Sequence, residues 1–184
     1  MTYKKKSYYT DRFWVAPQVA KSQVSDDAVF AADLATIKAK FDVLDAYVQV
    51  EQMIVIINAV DNYAVLELLK NECEYTQLSE MSAIDWLATE GKFEIFYQML
   101  SMTKRKRVRI KCKIDEKEAI RSVVKLFRTA DCLEREMYDV LGGVVSTYPF
   151  MNSILMREYW ERFTLRQRFP LPGEEFGGWK EVDT

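Results

Sequence analysis

The stretch FEIFYQMLSMTKRKRVRIKCKI, residues 93–114, decides the fold that we predict for this chain. Two halves with alternating apolar residues flank a short basic turn. The apolar positions are Phe93, Ile95, Tyr97 and Met99 in the first half and Val108, Ile110, Cys112 and Ile114 in the second. Apolar residues at every second position are typical of strands that bury one face. The stretch therefore predicts an antiparallel hairpin with one apolar face and, on its second strand, one basic face.

The residues before this hairpin predict two more strands between two helices. Residues 44–50 alternate in polarity and Met53–Ile57 is apolar throughout, so we expect two strands, with the second inside the sheet. The triplet Ser25-Asp26-Asp27 is typical of a helix start. Apolar residues recur after it at helical spacing, at Phe30, Leu34, Ile37 and Phe41. A further helix is predicted from Asp61 to about Cys73.

Three weaker segments complete the predicted order of elements. Residues 75–78 are expected to form a short strand, residues 79–88 a helical turn or loop, and residues 116–127 a helix. The order helix, two strands, helix, three strands, then helices and an extended C-terminal arm predicts a two-layer α+β domain. The predicted regions are an extended N-terminal segment over residues 1–24, the α+β core over residues 25–143 and a partner-binding arm over residues 144–184.

The composition argues against several classes of function. The 184 residues carry a net charge of −2, so no global field favours nucleic acid. The chain has no histidine and three widely spaced cysteines, which excludes a Ser-His-Asp triad and a self-contained four-thiolate site. It has no glycine-rich phosphate-binding motif. We therefore expect the chain to bind no cofactor and no metal.

The hydropathy of the chain predicts a cytoplasmic protein. No apolar run approaches the length of a membrane-spanning helix. The N-terminus is basic but lacks the apolar region of a signal peptide. Three cysteines without a spacing pattern predict reduced, buried thiols rather than a disulfide framework.

The most distinctive residues lie near the C-terminal end, in DCLEREMYDVLGGVVSTYPFMNSILMREYWERFTLRQRFPL, residues 131–171. Leu133, Met137 and Leu141 recur at every fourth position, which predicts a helix with one apolar face that ends at Gly142-Gly143. The arm that follows combines aromatic residues with arginines. These residue types are enriched in the cores of protein–protein interfaces, so we expect the arm to be ordered mainly by partner subunits.

This region resembles the signature region of the 30 kDa subunit, or C subunit, of proton-pumping NADH:quinone oxidoreductase, respiratory complex I. The resemblance is carried by the runs LEREMYDVLG, ILMREYW and LRQRFPLPG. The family positions retained here are Glu134, Arg135, Glu136, Tyr138, Asp139, Gly142, Pro149, Ile154, Leu155, Trp160, Leu165, Arg166, Pro170 and Leu171. Three departures stand beside them. Tyr148 replaces a usual histidine, Asn152-Ser153 replaces usual basic residues, and Gln167-Arg168 replaces Lys-Asp.

The resemblance implies a structural subunit in the peripheral arm of a complex I-type oxidoreductase, without redox centres or a catalytic site of its own. It implies contact with the counterparts of the D and B subunits, which hold the quinone site and the terminal iron–sulfur cluster, and with the I subunit as a third candidate. It places the chain on the cytoplasmic face of the membrane, attached only through the complex. The residues expected at these interfaces are Glu134, Arg135, Glu136, Tyr138, Asp139, Trp160, Leu165, Arg166, Arg168 and Phe169.

Other interpretations stay open. Glu134 and Glu136 could form an acid–base pair. Each step along a helix turns the side chain by about 100°, however, so two side chains separated by two steps do not share a face. This favours a charge clamp within the fold or to a partner. The basic run over residues 104–113 could bind nucleic acid. Its charged strand face carries no stacking aromatic residue, so a solvated or partner-facing basic strand is favoured. Within complex I such a strand would dock onto an acidic neighbour. The parent assembly could also be a membrane-bound hydrogenase or a formate-oxidising complex.

Overall fold

A computed structural model describes residues 20–87, 89–142, 145–146, 152–155 and 166 of the chain. The α-helices are α1 (Ala28–Lys38), α2 (Asn62–Asn71) and α3 (Ala130–Leu141). The strands are β1 (Val43–Gln49), β2 (Gln52–Asn58), β3 (Gln77–Trp86), β4 (Lys92–Ser101), β5 (Lys106–Asp115), β6 (Ile120–Arg121) and β7 (Val145–Ser146). None of the described helices is long and apolar enough to cross a membrane.

Five strands form one sheet in the order β1-β2-β5-β4-β3. The predicted β4–β5 hairpin is present, and the two strands predicted before it, β1 and β2, form a second antiparallel hairpin. Strand β2 lies inside the sheet, as predicted, and pairs with β5 in parallel from Gln52 opposite Arg107 to Asn58 opposite Lys113. This parallel pairing joins the two hairpins and brings the starts of β2 and β5 to the same end of the sheet.

One face of the sheet packs against the helices. Val55 of β2 and Ile110 of β5 are fully buried on this face. They belong to one apolar cluster with Phe30 of α1, Leu66 of α2 and Met137 of α3. The predicted two-layer α+β architecture is confirmed.

The start of α1 lies where the sequence predicts it. Asp27 caps the helix by accepting a hydrogen bond of 3.0 Å from the backbone N–H of Val29. Its other carboxylate oxygen accepts from the ammonium group of Lys106 in β5. That second hydrogen bond is the main reason why the pKa of Asp27 is lowered from its ordinary value. The cap therefore also ties α1 to the sheet.

The prediction of a helical turn or loop over residues 79–88 is wrong, because β3 runs from Gln77 to Trp86. Two features make this strand difficult to predict from the sequence. A bulge between Leu78 and Glu80 shifts the alternation of inward residues. Asp85 is buried on the strand, where its carboxylate accepts a hydrogen bond of 2.7 Å from the N–H of Leu87. A charged residue at a buried position breaks the apolar pattern on which the prediction depends.

The helix predicted over residues 116–127 is also wrong. The segment consists of turns and β6, which pairs in parallel with β7. The residues expected to point inward are nonetheless buried: Ile120, Val123 and Phe127. Backbone groups in its middle bond outside the segment, since the side chain of Asn62 donates to the carbonyl oxygen of Arg121 at 2.9 Å and the N–H of Val123 donates to Glu134 at 2.7 Å. These tertiary hydrogen bonds replace those that a helix would make.

Candidate protein interface

Glu134 is fully buried and holds the segment before α3 in place. Its carboxylate accepts hydrogen bonds of 2.7 Å from the N–H of Val123 and from the hydroxyl of Ser122. Burial raises the pKa of this carboxyl group, and the two hydrogen bonds oppose that rise. Glu136 is exposed. The two glutamates therefore do not form an acid–base pair, and the contacts described for Glu134 lie within the fold.

Asp139 attaches the segment after α3. One of its carboxylate oxygens, Oδ2, accepts hydrogen bonds from two consecutive backbone N–H groups, at 2.7 Å from Ile154 and 2.6 Å from Leu155. Asp139 itself is buried. Consecutive N–H groups that converge on one anion are a common way for a chain to bind a charge. Here the charge comes from the helix and the N–H groups come from the arm.

Two arginines add contacts between α3 and the arm. Arg135 donates from Nε to the carbonyl oxygen of Asn152 at 2.9 Å. Arg166 donates from Nε to the carbonyl oxygen of Leu141 at 2.7 Å and pairs with Glu116 at 3.2 Å. The last carbonyl groups of a helix lack donor partners within it, and a cation there also interacts favourably with the helix dipole. Arg166 thus stabilises the C-terminal end of α3.

The other predicted interface residues fall into two groups. Tyr138 is half-buried on α3, and its carbonyl oxygen accepts from the N–H of Gly142 at 2.8 Å, at the predicted end of the helix. Trp160, Leu165, Arg168 and Phe169 lie outside the described residues. That the arm is ordered mainly by partners stays a prediction. At Ile154, Leu155 and Arg166 its hydrogen bonds come from this chain.

The basic face of β5 carries its own counter-groups. The pairs are Lys111 with Glu94 at 2.6 Å, Lys113 with Glu90, and Arg109 with Gln98 at 2.7 Å. The guanidinium group of Arg109 also lies 5.2 Å from the ring centroid of Phe96 on β4. A phosphate backbone would have to compete with these contacts. Three of the four basic side chains on this face thus have partners within the chain, which argues against an open nucleic-acid surface.

The buried thiols are poorly suited to binding a metal. No group of three or more potential metal ligands occurs among the described residues. Burial raises the pKa of Cys73 to about 11 and that of Cys112 to about 12. Both thiols are therefore protonated at neutral pH, whereas metals bind the thiolate. Cys132 is exposed on α3, so the prediction of buried thiols is wrong for this residue.

Sequence inspection does not find the partners of the motif residues. Backbone atoms are hydrogen-bond partners of Glu134, Arg135, Asp139 and Arg166. Because every residue has a backbone carbonyl group and nearly every one has an N–H group, the sequence does not show which residue provides the partner. Asn152 is noticeable in the sequence only as a departure from the family pattern. The hydroxyl of Ser122 carries no signal that would connect it to Glu134.

The family described as "Respiratory-chain NADH dehydrogenase, 30 Kd subunit" matches residues 55–175. The matched range includes α3 and the residues that contact it. The chain belongs to this family. The resemblance seen in the signature region is thereby confirmed, and it extends back into β2 of the sheet.

Several members of the 30 kDa subunit family are similar to this chain. The C subunit of NADH-quinone oxidoreductase from Chelativorans sp. (strain BNC1) is 34% identical over 141 residues, which cover 74% of this chain and 70% of the relative. The same protein from Geotalea uraniireducens (strain Rf4) is 33% identical over 125 residues, covering 67% and 76%. NADH-ubiquinone oxidoreductase subunit 9 of Reclinomonas americana is 35% identical over 112 residues, covering 60% and 55%.

A solved structure shares the fold of this family member. It is a chain from "Structure of the membrane-bound sulfane sulfur reductase (MBS), an archaeal respiratory membrane complex". The TM-score is 0.62, with 77% of this chain and 85% of that chain covered and 18% of residues identical. At this identity the match supports the α+β fold alone.

Proposed function

We propose that this chain is a structural subunit, without redox centres of its own, in the peripheral arm of a complex I-type NADH:quinone oxidoreductase. Membership of the 30 kDa subunit family and relatives that are C subunits of NADH-quinone oxidoreductase support the proposal. Its neighbours on this proposal are the counterparts of the D and B subunits, with the I subunit as a third candidate. The chain lies on the cytoplasmic face and reaches the membrane only through them.

The single observation that carries the proposal is that Asp139 fixes the backbone of Ile154 and Leu155 while their side chains stay exposed. Their backbone N–H groups are held by the buried carboxylate, whereas their side chains are 39% and 59% exposed. A hydrogen bond to a charged group contributes about 1.5–3 kcal/mol, and fixing a residue's backbone costs about 1–2 kcal/mol. The two bonds therefore offset the cost of fixing the backbone of Ile154 and Leu155 before any partner binds.

An ordered apolar segment suits a docking role. Association is weakened when exposed loops must first be ordered, so side chains on a fixed backbone give more affinity for the same contact area. The neighbouring contact of Arg135 with Asn152 fixes the segment at its other end. The signature residues on α3 thus act as positioning residues, and the arm supplies the side chains that touch the partner.

The absence of redox centres is part of the proposal and rests on the thiols. Cys73 and Cys112 are buried with raised pKa values. Four thiolates are needed for an ordinary iron–sulfur cluster, and the chain has three cysteines. Anaerobically purified chain should show no visible absorption. Stoichiometric flavin or iron–sulfur absorption would contradict this part of the proposal.

The docking role is tested by purifying the complex through a tag on the full-length chain. The wild-type chain should retain the counterparts of the D and B subunits after detergent extraction. The double variant Ile154→Ser/Leu155→Ser should retain about tenfold less of them, since two exposed apolar contacts are lost. Leu44→Ser/Val60→Ser is the matched control, because these residues are 59% and 91% exposed elsewhere on the domain. Equal retention by both double variants, or no such subunits with the wild type, would contradict the proposal.

A second parent assembly is a membrane-bound hydrogenase or formate-oxidising complex. The fold shared with a chain of the sulfane sulfur reductase supports this alternative, because the fold occurs in more than one respiratory complex. The same purification decides between them. Subunits with NADH-oxidising flavin chemistry support complex I, whereas a nickel-containing or formate-oxidising subunit supports the alternative.

A further inference from the structure

A groove lies at the end of the sheet where two hairpin turns meet. Because β2 and β5 are parallel and Gln52 lies opposite Arg107, the β1–β2 turn and the β4–β5 turn are neighbours. The residues that line the groove are Val50, Glu51, Gln52, Leu100, Ser101, Met102, Arg105 and Arg107. All of these residues precede α3 and the arm in the sequence.

Two large apolar side chains at this groove face solvent. Val50 in the first turn is 62% exposed and Met102 in the second is 68% exposed. Each comes from a different hairpin, so their closeness is a consequence of the tertiary fold. Methionine is among the residues that protein–protein interfaces favour, and it adapts to irregular partner surfaces.

The basic run over residues 104–113 divides into two classes. Five of its side chains have partners within the chain: Lys104 with Asp33, Lys106 with Asp27, Arg109 with Gln98, Lys111 with Glu94, and Lys113 with Glu90. Arg105 and Arg107 are exposed, and neither forms an ion pair within the described part of the chain. Both of these arginines line the groove.

The backbone of the first turn is unfavourable for the residue it carries. Val50 has φ of 51° and Glu51 has φ of 58°. A two-residue turn with positive φ at both positions strongly favours Asn-Gly, and a β-branched residue is poorly suited to it. The fold alone gives no reason for an exposed valine at this position.

We infer that this groove docks a segment of a neighbouring subunit that carries a carboxylate beside an apolar side chain. The inference rests on the proposed function, since it requires that the chain be part of a complex. A guanidinium group binds a carboxylate through two parallel hydrogen bonds, and Arg105 and Arg107 can each supply such a fork. Val50 and Met102 provide the apolar contact next to it.

A nucleic-acid strand fits this groove less well. Glu51 places a carboxylate among the lining residues, where a continuous polyanion would be repelled. The exposed side chains of Val50 and Met102 would gain nothing from a phosphate backbone. A single acidic residue flanked by an apolar one matches both the charges and the apolar surface.

The first test is photo-crosslinking in the purified complex. A benzophenone amino acid replaces Met102 in the full-length chain, and the same probe at Val60, which is 91% exposed, is the control. The expected product is a specific adduct from position 102 to a peptide of another subunit that contains Asp or Glu. The control position should not label that peptide. No adduct, or adducts only to RNA or lipid, would overturn the inference.

The second test separates docking from folding. The variant Arg105→Glu/Arg107→Glu should leave about tenfold less chain in the complex, whereas Lys117→Glu/Arg128→Glu, with the same change in charge, should assemble normally. Val50→Asn should raise the melting temperature of the free chain and lower its retention in the complex. Unchanged retention in both groove variants would overturn the inference.

The outcomes distinguish the two proposals. If the wild-type chain co-purifies with its subunits but position 102 forms no adduct, the groove inference fails and the proposed function stands. If the wild-type chain is absent from the complex, both fail. If an adduct forms, replacing the crosslinked peptide's acidic residue by arginine should restore retention of the Arg105→Glu/Arg107→Glu variant.

Discussion

The carboxylate of Glu134 accepts a hydrogen bond of 2.7 Å from the backbone N–H of Val123. A side chain of the signature motif thus satisfies a backbone group in a segment whose apolar spacing predicts a helix. The bond lies in a buried environment, because Glu134 and Val123 are both fully buried. The motif glutamate therefore helps to determine the course of the chain before α3.

Removing this acceptor should destabilise the fold. In Glu134→Ala the N–H of Val123 is left buried without its acceptor, which costs about 1–3 kcal/mol of unfolding free energy. Glu134→Gln keeps one carbonyl oxygen for Val123 and should lose clearly less. Denaturant unfolding of both variants measures the difference. Equal losses would show that the hydrogen bond to Val123 is not the main contribution.

The same residue should give the protein a specific pH dependence. Burial raises the folded-state pKa of Glu134 above its ordinary value of 4.5. The folded protein then binds the proton more tightly than the unfolded chain, so this group's contribution to stability is greatest at low pH. It falls as pH rises from the ordinary value through the folded one. The melting temperature of wild type minus that of Glu134→Gln should decrease over this range, and a constant difference would contradict it.

Asp27 should behave with the opposite sign. The hydrogen bond from Lys106 lowers its pKa from 3.8, so its stabilisation is present above that value and is lost as pH falls through the folded pKa. Asp27→Asn keeps the cap on Val29 and loses the ion pair, whereas Asp27→Ala loses both. The alanine variant should be less stable than the asparagine variant by about 1 kcal/mol. Thermal melts at acidic and neutral pH measure both effects, and identical variants would exclude a role for the cap.

Substitutions on the two faces of β5 should differ strongly. Ile110 is fully buried, so Ile110→Asp places an unpaired charge in the core and should cost about 3–5 kcal/mol. The alternation alone predicts that Lys111→Glu is neutral. Because Lys111 pairs with Glu94 in a half-buried setting, we instead expect a loss of about 1–3 kcal/mol, between the values for exposed and buried pairs. Lys117→Glu is an exposed control, and similar melting of all three variants would refute the assignment of faces.

Two truncations should locate the end of the domain. The sequence predicts a core that ends at Gly143, but β7 pairs with β6, and the N–H of Ser122 donates to the carbonyl oxygen of Ser146 at 3.2 Å. A chain that ends at Gly143 loses these bonds, each of which contributes about 0.5–1.5 kcal/mol, whereas a chain that ends at Thr147 keeps them. The shorter chain should melt at a lower temperature. Identical melting would mean that β7 adds nothing to the core.

The predictable part of the fold is the part with undisturbed periodicity. Strands β4 and β5 alternate cleanly, and α1 begins after a capping aspartate, so the sequence predicts their boundaries to within a few residues. Strand β3 escapes prediction because the bulge near Leu78 and the buried Asp85 interrupt its pattern. The segment with Ile120 and Val123 has helical spacing, yet the carbonyl oxygen of Arg121 and the N–H of Val123 bond to other elements.

The candidate interface is predictable only as a set of residues. The motif on α3 and its family can be recognised, because side-chain identities carry that information. Which atoms those side chains contact cannot be predicted, because Asp139 and Arg135 bind backbone groups of the arm. The turn at Val50 is also difficult to predict, since it lacks the Asn or Gly that is typical of such turns.

The parallel pairing of β2 with β5 has a consequence for synthesis on the ribosome. Strand β2 pairs with β1 as soon as that hairpin has emerged, but its other edge stays open until β5 has been translated. An apolar strand with an open edge is prone to pair with other chains. Ribosome-arrested chains that end before β5 should therefore bind chaperones or aggregate, and chains that extend past Asp115 should not. Because β5 is translated after β2, the middle of this sheet is the part of the nascent chain that is most prone to aggregation.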